Sequence, residues 1–290
     1  MKSSDPCERE RIARRLRPAQ RWLVIGLRIL PAIFAFLAFG SSSVAENWEA
    51  TLSKEPIGNF PELRSLRASY RFGWSGLTAA TGDVHFTRPS ETKFQLDGTG
   101  RTIGFVRALW KLDVSYQAIA SAETLRPIET HQIENYRSKK IVTHLTFTNN
   151  GVTRTRTEGK GVAEAKTRQY NFPNLFDLFS ALLYLRSQPL KERAVYRVVA
   201  YPATNAYLAT VTVIGREKIS VHAGNYNAIK LDLRLMRIGK QRQLEPHRKF
   251  RHANIWVSDD AERLLLRIEA QVFVGTVFAE LQSVSFDNPK

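Results

Sequence analysis

The chain has 290 residues, of which 43 are Lys or Arg and 27 are Asp or Glu, so its net charge is +16. Its one cysteine, Cys7, lies close to the N-terminus. The rest of the chain therefore has no disulfide framework, no thiol nucleophile and no cysteine-based metal site.

The first 45 residues predict an export signal. Arginines between Arg9 and Arg21 precede the apolar run Ile29–Phe39, and the small residues Ser43-Val44-Ala45 follow. This order predicts a signal peptide over residues 1–45 that is cleaved after Ala45, and therefore a periplasmic protein.

The alternative is a leader that stays in place as a membrane anchor. Trp22–Phe39 is nearly long enough to span a bilayer, but Arg28 and Pro31 interrupt it. Cleavage is favoured because the Ala-ending site follows at once, and no permanent membrane span is expected after cleavage.

The charge that remains outside the leader constrains the partners. Eight of the 43 basic residues and three of the 27 acidic residues fall in the first 45, which leaves a net charge of +11. For an exported protein this favours lipid head groups, lipopolysaccharide phosphates or acidic polymers, and nucleic acid is not expected as a partner. The alternative is a basic surface that serves only solubility.

Residues 46–62 are polar and rich in Pro and Gly, and predict a flexible arm. From residue 63 to 290 the dominant period is two, as in Ala68–Trp74, which is typical of half-buried strands. Asn149-Asn150-Gly151 predicts a tight hairpin turn. The pattern indicates one mainly β domain with minor α content, built as a single curved antiparallel sheet or half-barrel.

One main helix is predicted to cover this sheet. Asn174–Arg186 places leucines at helical spacing, with Asn174 as the cap and Asp177 three residues later in the capping-box position. A shorter helix or a turn is expected around Ile103–Trp110.

No catalytic motif can be defended, so the protein is predicted not to be an enzyme. Neither a cofactor nor a metal site is expected, because no histidine pair has supporting ligands at metal spacing. Asp259-Asp260 resembles a catalytic carboxylate pair, but adjacent acids between two strands favour a turn role.

Two groups of residues are predicted to bind a ligand. The first is the basic segment Arg237–His252, which would form an electropositive edge; its candidates are Arg237, Arg242, Arg248 and Arg251. The second is a set of aromatic residues that would line a cavity under the helix: Trp74, Phe105 and Trp110. The alternatives are a solvated loop and ordinary core packing.

The chain resembles the exported bacterial family called domain of unknown function 3108 over about Leu63–Val284. The resemblance depends on the order and spacing of several short motifs: Tyr70-Arg71-Phe72-Gly73-Trp74-Ser75-Gly76, Leu125-Arg126-Pro127, Tyr184-Leu185-Arg186, Gly215-Arg216-Glu217-Lys218-Ile219 with Gly224, Ile255-Trp256-Val257-Ser258-Asp259-Asp260, and Gly275. It implies no catalytic residues. It implies an architecture similar to the LolA and LolB lipoprotein carriers, in which a curved sheet wraps an apolar cavity.

The sequence therefore predicts a non-catalytic periplasmic binding or carrier protein for a lipid-like or anionic envelope component. Two alternatives stay open: an envelope assembly module that binds a protein partner, and a hydrolase of envelope polymers.

Overall fold

A computed structural model describes residues 47–58, 63–149, 151–170, 172, 175–247, 250–272 and 275–287. The predicted leader and its cleavage site lie outside these residues.

The first half of the fold is a meander of eight strands, each paired antiparallel with the next. The strands are β1 (Leu66–Trp74), β2 (Leu77–Ser90), β3 (Lys93–Thr102), β4 (Leu112–Ser121), β5 (Pro127–Tyr136), β6 (Lys140–Thr148), β7 (Gly151–Glu158) and β8 (Glu164–Gln169). The short helix α1 (Gly104–Leu109) joins β3 to β4, as predicted. The strands β6 and β7 flank the predicted Asn-Gly turn, of which Asn150 lies outside the described residues.

The second half contains the longer helix and the remaining strands. It comprises β9 (Leu175–Phe176), α2 (Leu178–Ser187), β10 (Val195–Ala200), β11 (Tyr207–Val221), β12 (Gly224–Ile238), β13 (Leu244–Pro246), β14 (Phe250–Ser258), β15 (Leu265–Val272) and β16 (Gly275–Phe286). Apart from β13, which pairs only with β12, these strands follow one another in the sheet until β16 pairs with β1. The β9–β10 pair is parallel and all other pairs in the described chain are antiparallel.

The protein is therefore mainly β, with one large sheet, as the period-two pattern predicts. The sheet is open and is not closed into a barrel: its path runs from β8 at one end to β9 at the other. Packing still brings distant strands together, since Leu145 of β6 and Val152 of β7 share a buried cluster with Leu208 of β11.

Helix α2 begins later than the sequence predicts. The cap is Asp177, not Asn174, and Ser180 occupies the capping-box position that Asp177 was expected to fill. Phe179 and Leu183 of α2 belong to the largest buried cluster, and the rings of Phe179 and Phe86 lie 6.1 Å apart. Asn174 itself lies outside the described residues.

The described part of the predicted flexible arm, residues 47–58, packs against the domain. Trp48 and Leu52 are buried. Ser53 exchanges two hydrogen bonds with the backbone of Arg197 in β10, at 2.9 and 2.8 Å. Tyr184 of α2 donates a hydrogen bond to the carbonyl of Glu55, 3.1 Å away. This N-terminal segment therefore fastens α2 to the fold.

The acidic turn between β14 and β15 has the structural role that the sequence favours. The Oδ1 atom of Asp260 accepts hydrogen bonds from the Ser258 hydroxyl and from the backbone N–H groups of Glu262 and Arg263, at 2.6 to 3.1 Å. Asp259 forms ion pairs with Arg216 and Arg263.

Candidate functional site

The sheet face on which α2 packs contains an area without side chains. Phe86 and Leu96 define this inner face, and side chains at every second residue share it. By that alternation Gly82, Gly98 and Gly100 also belong to the inner face, and Gly82 pairs directly with Gly100. Gly82 is buried, whereas Gly98 and Gly100 leave accessible backbone on this face.

Space above these glycines is open at Gly100. A Cβ atom placed there would have only the carbonyl of Thr81 within 4 Å, at 3.7 Å. A Cβ at Gly98 would make ordinary contacts at 3.8 Å. Both glycines are partly accessible to solvent. We call this depression, with Gly82, Gly98 and Gly100 as its floor, the glycine trough.

Aromatic side chains form the walls of the glycine trough. Phe72 lies over Gly82, where an added Cβ would come within 3.0 Å of its ring. The rings of Phe72 and Tyr70 are 6.4 Å apart. On the other side Tyr116 pairs directly with Gly98. Burial raises the pKa of Tyr70 and of Tyr116 far above the usual tyrosine value, so both walls are uncharged.

Beyond Phe72 the trough leads to an exposed apolar rim. Trp74 and Leu77 face each other across the β1–β2 turn and are 43% and 70% exposed. Helix α1 adjoins this turn, because Ile103 N–H donates a 3.0 Å hydrogen bond to the carbonyl of Ala79. Phe105 of α1 is 77% exposed. We call Trp74, Leu77 and Phe105 the aromatic rim.

Basic side chains surround the aromatic rim. Arg107 of α1 forms a bidentate ion pair with Asp113, with distances of 2.8 and 3.1 Å. The hydrogen bonds from Arg107 lower the pKa of Asp113, which keeps this carboxylate ionised. Arg101 and Lys111, on either side of α1, are exposed and form no ion pair with any described residue. In the β3–β4 register Arg101 pairs directly with Asp113 on the outer face, so these charges make this end of the sheet electropositive rather than the trough itself.

The structure brings together some of the residues predicted to bind a ligand. Trp74 and Phe105 lie on neighbouring connections at the same end of the sheet, and both are exposed. Trp110, at the end of α1, is half-buried with its ring 6.2 Å from that of Tyr136. Its backbone carbonyl accepts a hydrogen bond from Thr102. Trp110 therefore supports α1 rather than facing the trough.

The basic segment is engaged within the protein where its side chains are described. Arg242 forms two hydrogen bonds with the carboxylate of Glu49, at 2.9 and 2.8 Å. Its carbonyl accepts a 2.8 Å hydrogen bond from the Trp48 indole. Arg237 pairs with Glu245 at 3.5 Å. The whole of Arg248 and the side chain of Arg251 lie outside the described residues, so their binding role stays a prediction.

The expected cavity between α2 and the sheet is very small. The space lined by Leu185 and Arg186 of α2 and by Leu231, Ile255 and Val257 measures about 30 Å³, which holds one or two water molecules. Trp74 and Phe105 do not line it, which corrects the prediction of an aromatic cavity under the helix. The physical reason is that Phe179, Leu183 and neighbouring side chains fill the inner face at that point.

A larger cleft lies at the β11–β12 hairpin. It has a volume of about 450 Å³ and is lined by polar residues with Ile219 and Tyr226.

Within the described part of the chain, no group of three or more His, Cys, Asp or Glu side chains could hold a metal ion. No described helix has the length and apolar character needed to cross a bilayer.

Comparison with known proteins places the chain in a family. The model of the family described as "Protein of unknown function (DUF3108)" matches residues 69–282. The chain belongs to this family. None of the curated proteins matches it.

Two solved structures are similar to this chain. One is the beta-barrel-like protein of domain of unknown function DUF1849 from Brucella abortus, with a TM-score of 0.53 and 8% sequence identity over 79% of this chain and 100% of that one. The other is a "putative lipoprotein" from Parabacteroides distasonis, with a TM-score of 0.33 and 8% identity over 80% of this chain and 100% of that one. The first likeness shows the fold alone.

Sequence reasoning missed the floor of the site. Gly98 and Gly100 were not singled out from the sequence as site residues, yet two glycines two residues apart in a strand indicate two neighbouring positions without side chains on the same face. The role of Arg101 and Lys111 was also missed, because no sequence pattern shows that α1 lies beside the β1–β2 turn.

Proposed function

We propose that the protein is an exported, non-catalytic binding or carrier protein for an amphiphilic envelope component with an apolar chain and an anionic head group. The observation that carries this proposal is the glycine trough, whose glycines lie on the inner face between the core residue Phe86 and the end of the sheet that bears the aromatic rim. Export is supported by the predicted signal peptide.

The arrangement suits an amphiphile for two physical reasons. Burial of an apolar chain against Tyr70, Phe72 and the bare backbone contributes about 0.8 kcal/mol for each CH₂ group. Arg101 and Lys111 lie at the same end of the sheet as the aromatic rim but on the outer face, so a phosphate or carboxylate head group would extend past that end to pair with them. The cavity under α2 is too small for an acyl chain, because ligand pockets of that kind measure about 300 Å³ or more.

A filling substitution tests this proposal. Gly100→Leu should fold normally, because no atom lies closer than 3.7 Å to the new Cβ, and its side chain should occupy the trough. Thr99→Leu is the matched control, since Thr99 is exposed and lies on the opposite face of the same strand. We expect Gly100→Leu to weaken binding of a fluorescent fatty acid about tenfold, and Thr99→Leu to leave it unchanged.

Lipids that copurify with the exported protein provide the second readout. Extraction followed by mass spectrometry should detect an amphiphile bound to the wild type and to Thr99→Leu, and much less bound to Gly100→Leu. Equal binding by both variants, or no probe binding by the wild type, would disprove the proposal.

A protein-interaction role is the second candidate. The observation that favours it is the edge strand β8, whose six residues are all exposed and which pairs only with β7 among the described strands. An open edge of this kind can accept a strand from a partner. A photo-cross-linking residue in place of Arg168 should give a discrete protein adduct in the cell envelope, whereas one at Thr99 should not.

A further inference from the structure

Exposed apolar residues gather on consecutive connections at one end of the sheet. Leu77 lies in the β1–β2 hairpin and Phe105 in α1. Val162, in the turn between β7 and β8, is 94% exposed. Exposure of these apolar side chains to water is unfavourable. Their position at the ends of strands places them where another surface can reach them.

Hydrogen bonds connect these chain segments into one surface. Arg137, in the β5–β6 turn, donates to the carbonyl of Ala108 in α1 at 2.9 Å. Gly159, in the β7–β8 turn, donates to the carbonyl of Lys140 at 2.8 Å. We call the tips of these four connections the tip surface; its exposed apolar residues are Leu77, Phe105 and Val162.

The tip surface has an excess of positive charge. Its acidic residues are already paired, since Asp113 binds Arg107, Glu158 binds Lys139 and Arg156, and Glu164 binds Lys166. Five further basic residues are exposed and form no ion pair with any described residue: Arg101, Lys111, Arg137, Lys140 and Lys160.

The opposite ends of the same strands differ. The turns there include Glu91 and Glu123, and none of the described residues in them is a large exposed apolar residue. The combination of exposed apolar tips and unpaired cations is therefore specific to one end of the sheet. Apolar residues flanked by Lys and Arg are typical of surfaces that lie in a bilayer interface.

We propose that the tip surface docks onto an anionic phospholipid bilayer. Leu77, Phe105 and Val162 enter the interface, and the unpaired cations contact lipid phosphates. The aromatic rim and the glycine trough then open toward the lipids, so an amphiphile can pass between bilayer and protein without crossing water. The docking itself depends only on the tip surface and not on the proposed ligand.

A single-cysteine label tests docking directly. The chain has one cysteine, so Cys7→Ser provides a cysteine-free background. In that background Phe105→Cys carries an environment-sensitive fluorophore, and Ile214→Cys is the matched control, because Ile214 is a similarly exposed apolar residue on β11. The fluorophore reports only the environment of the labelled position, 105 or 214. Membrane contact by the N-terminal 45 residues therefore does not produce the same signal.

We expect a blue shift of the Phe105→Cys label with mixed phosphatidylglycerol–phosphatidylcholine vesicles, and none with Ile214→Cys. Pure phosphatidylcholine should give little shift. Raising the salt from about 0.1 M to about 1 M shortens the Debye length from about 10 to about 3 Å and should weaken binding. The double variant Lys111→Glu with Lys140→Glu should weaken vesicle binding roughly tenfold or more. The double variant Lys191→Glu with Lys218→Glu makes the same change in net charge elsewhere and should not weaken it.

Three results would overturn the inference: no shift at position 105, equal shifts at positions 105 and 214, or a shift only when envelope proteins are added, which would indicate a protein partner. Gly100→Leu separates this inference from the proposed function. It should weaken binding of the fatty acid probe about tenfold and leave the vesicle-induced shift intact, so either proposal can fail while the other holds.

Discussion

Thr130 of β5 donates a 2.8 Å hydrogen bond to the Oδ2 atom of Asp177, the residue that caps α2. The other carboxylate oxygen of Asp177 accepts hydrogen bonds from the backbone N–H and the hydroxyl of Ser180, at 2.7 and 2.6 Å. All three residues are buried. One carboxylate therefore starts the helix and also ties it to the opposite half of the sheet.

We predict that Asp177→Ala lowers the free energy of unfolding by about 2 to 3 kcal/mol. Loss of a helix cap costs about 1 kcal/mol, and the buried Thr130 hydroxyl is left without its acceptor, which adds about 1 to 2 kcal/mol. Urea unfolding measures the effect. Glu123→Ala, an exposed acid in the β4–β5 turn, is the control; an equal loss in both variants would contradict the proposed role of Asp177.

Glu280 of β16 gives a pH-dependent prediction. Its side chain is only 3% exposed and lies between Arg71 of β1 and Arg267 of β15. Burial alone would raise the pKa of Glu280, but the hydrogen bonds and charges of Arg267 and Arg71 outweigh it and lower the pKa. Stability from Glu280 is therefore present above the unfolded-state pKa, about 4.3, and is lost as the pH falls through the lower folded-state value.

Substitution with glutamine should make that dependence visible. Glu280→Gln removes one partner of a buried ion network and should cost about 3 kcal/mol at pH 7, but much less once acid has protonated the wild-type carboxyl. Unfolding curves at pH 7 and in acid measure the difference. Glu269→Gln, a more exposed partner of Arg267, should show little change, and a cost for Glu280→Gln that did not vary with pH would contradict this account.

The period-two pattern was enough to predict most strands, because burial of one sheet face requires alternation along each strand. It could not predict that β16 returns to pair with β1, since Tyr70 and Leu281 are brought together only by the whole meander. The predicted position of the helix cap was wrong for a related reason. Asn174 and Asp177 are both good caps, and Thr130, distant in sequence, provides the partner for Asp177.

The candidate site was predicted in part. Trp74, Phe105 and Trp110 were expected to line a cavity; Trp74 and Phe105 are exposed at one end of the sheet, and their role in binding stays a prediction. The basic segment was predicted from its charge alone, and charge does not show that Glu49 lies beside Arg242. In the same way, polar composition suggested that residues 46–62 are flexible, whereas Trp48 gives this segment a buried anchor.

Gly58 tests how firmly the N-terminal segment holds α2. A Cβ at this position would lie 1.8 Å from the carbonyl oxygen of Ser187, at the end of the helix. We predict that Gly58→Ala displaces the segment and breaks the hydrogen bond from Tyr184 to the Glu55 carbonyl. Faster amide exchange at residues 52–58, with slower exchange retained in β1–β4, should report this local loss.

Gly100→Ala is the control for that experiment, because the nearest atom to its Cβ is 3.7 Å away. Replacement of glycine at a compatible position should leave stability unchanged or raise it by about 0.5 kcal/mol. Normal protection of residues 52–58 in Gly58→Ala would mean that the close contact with Ser187 is relieved without cost, and would contradict the prediction.

Arg242 distinguishes an internal role of the basic segment from a ligand-binding role. Its guanidinium pairs with Glu49 and lies 5.0 Å from the centre of the Phe172 ring. Both charged side chains remain partly exposed, so a double-mutant cycle of Arg242→Ala and Glu49→Ala should give a coupling energy of about 1 kcal/mol or less. Arg242→Ala should speed amide exchange around Trp48 and leave binding of anionic vesicles unchanged, because Arg242 does not belong to the tip surface. If Arg242→Ala lost vesicle binding without any change in amide exchange around Trp48, Arg242 would instead have a binding role.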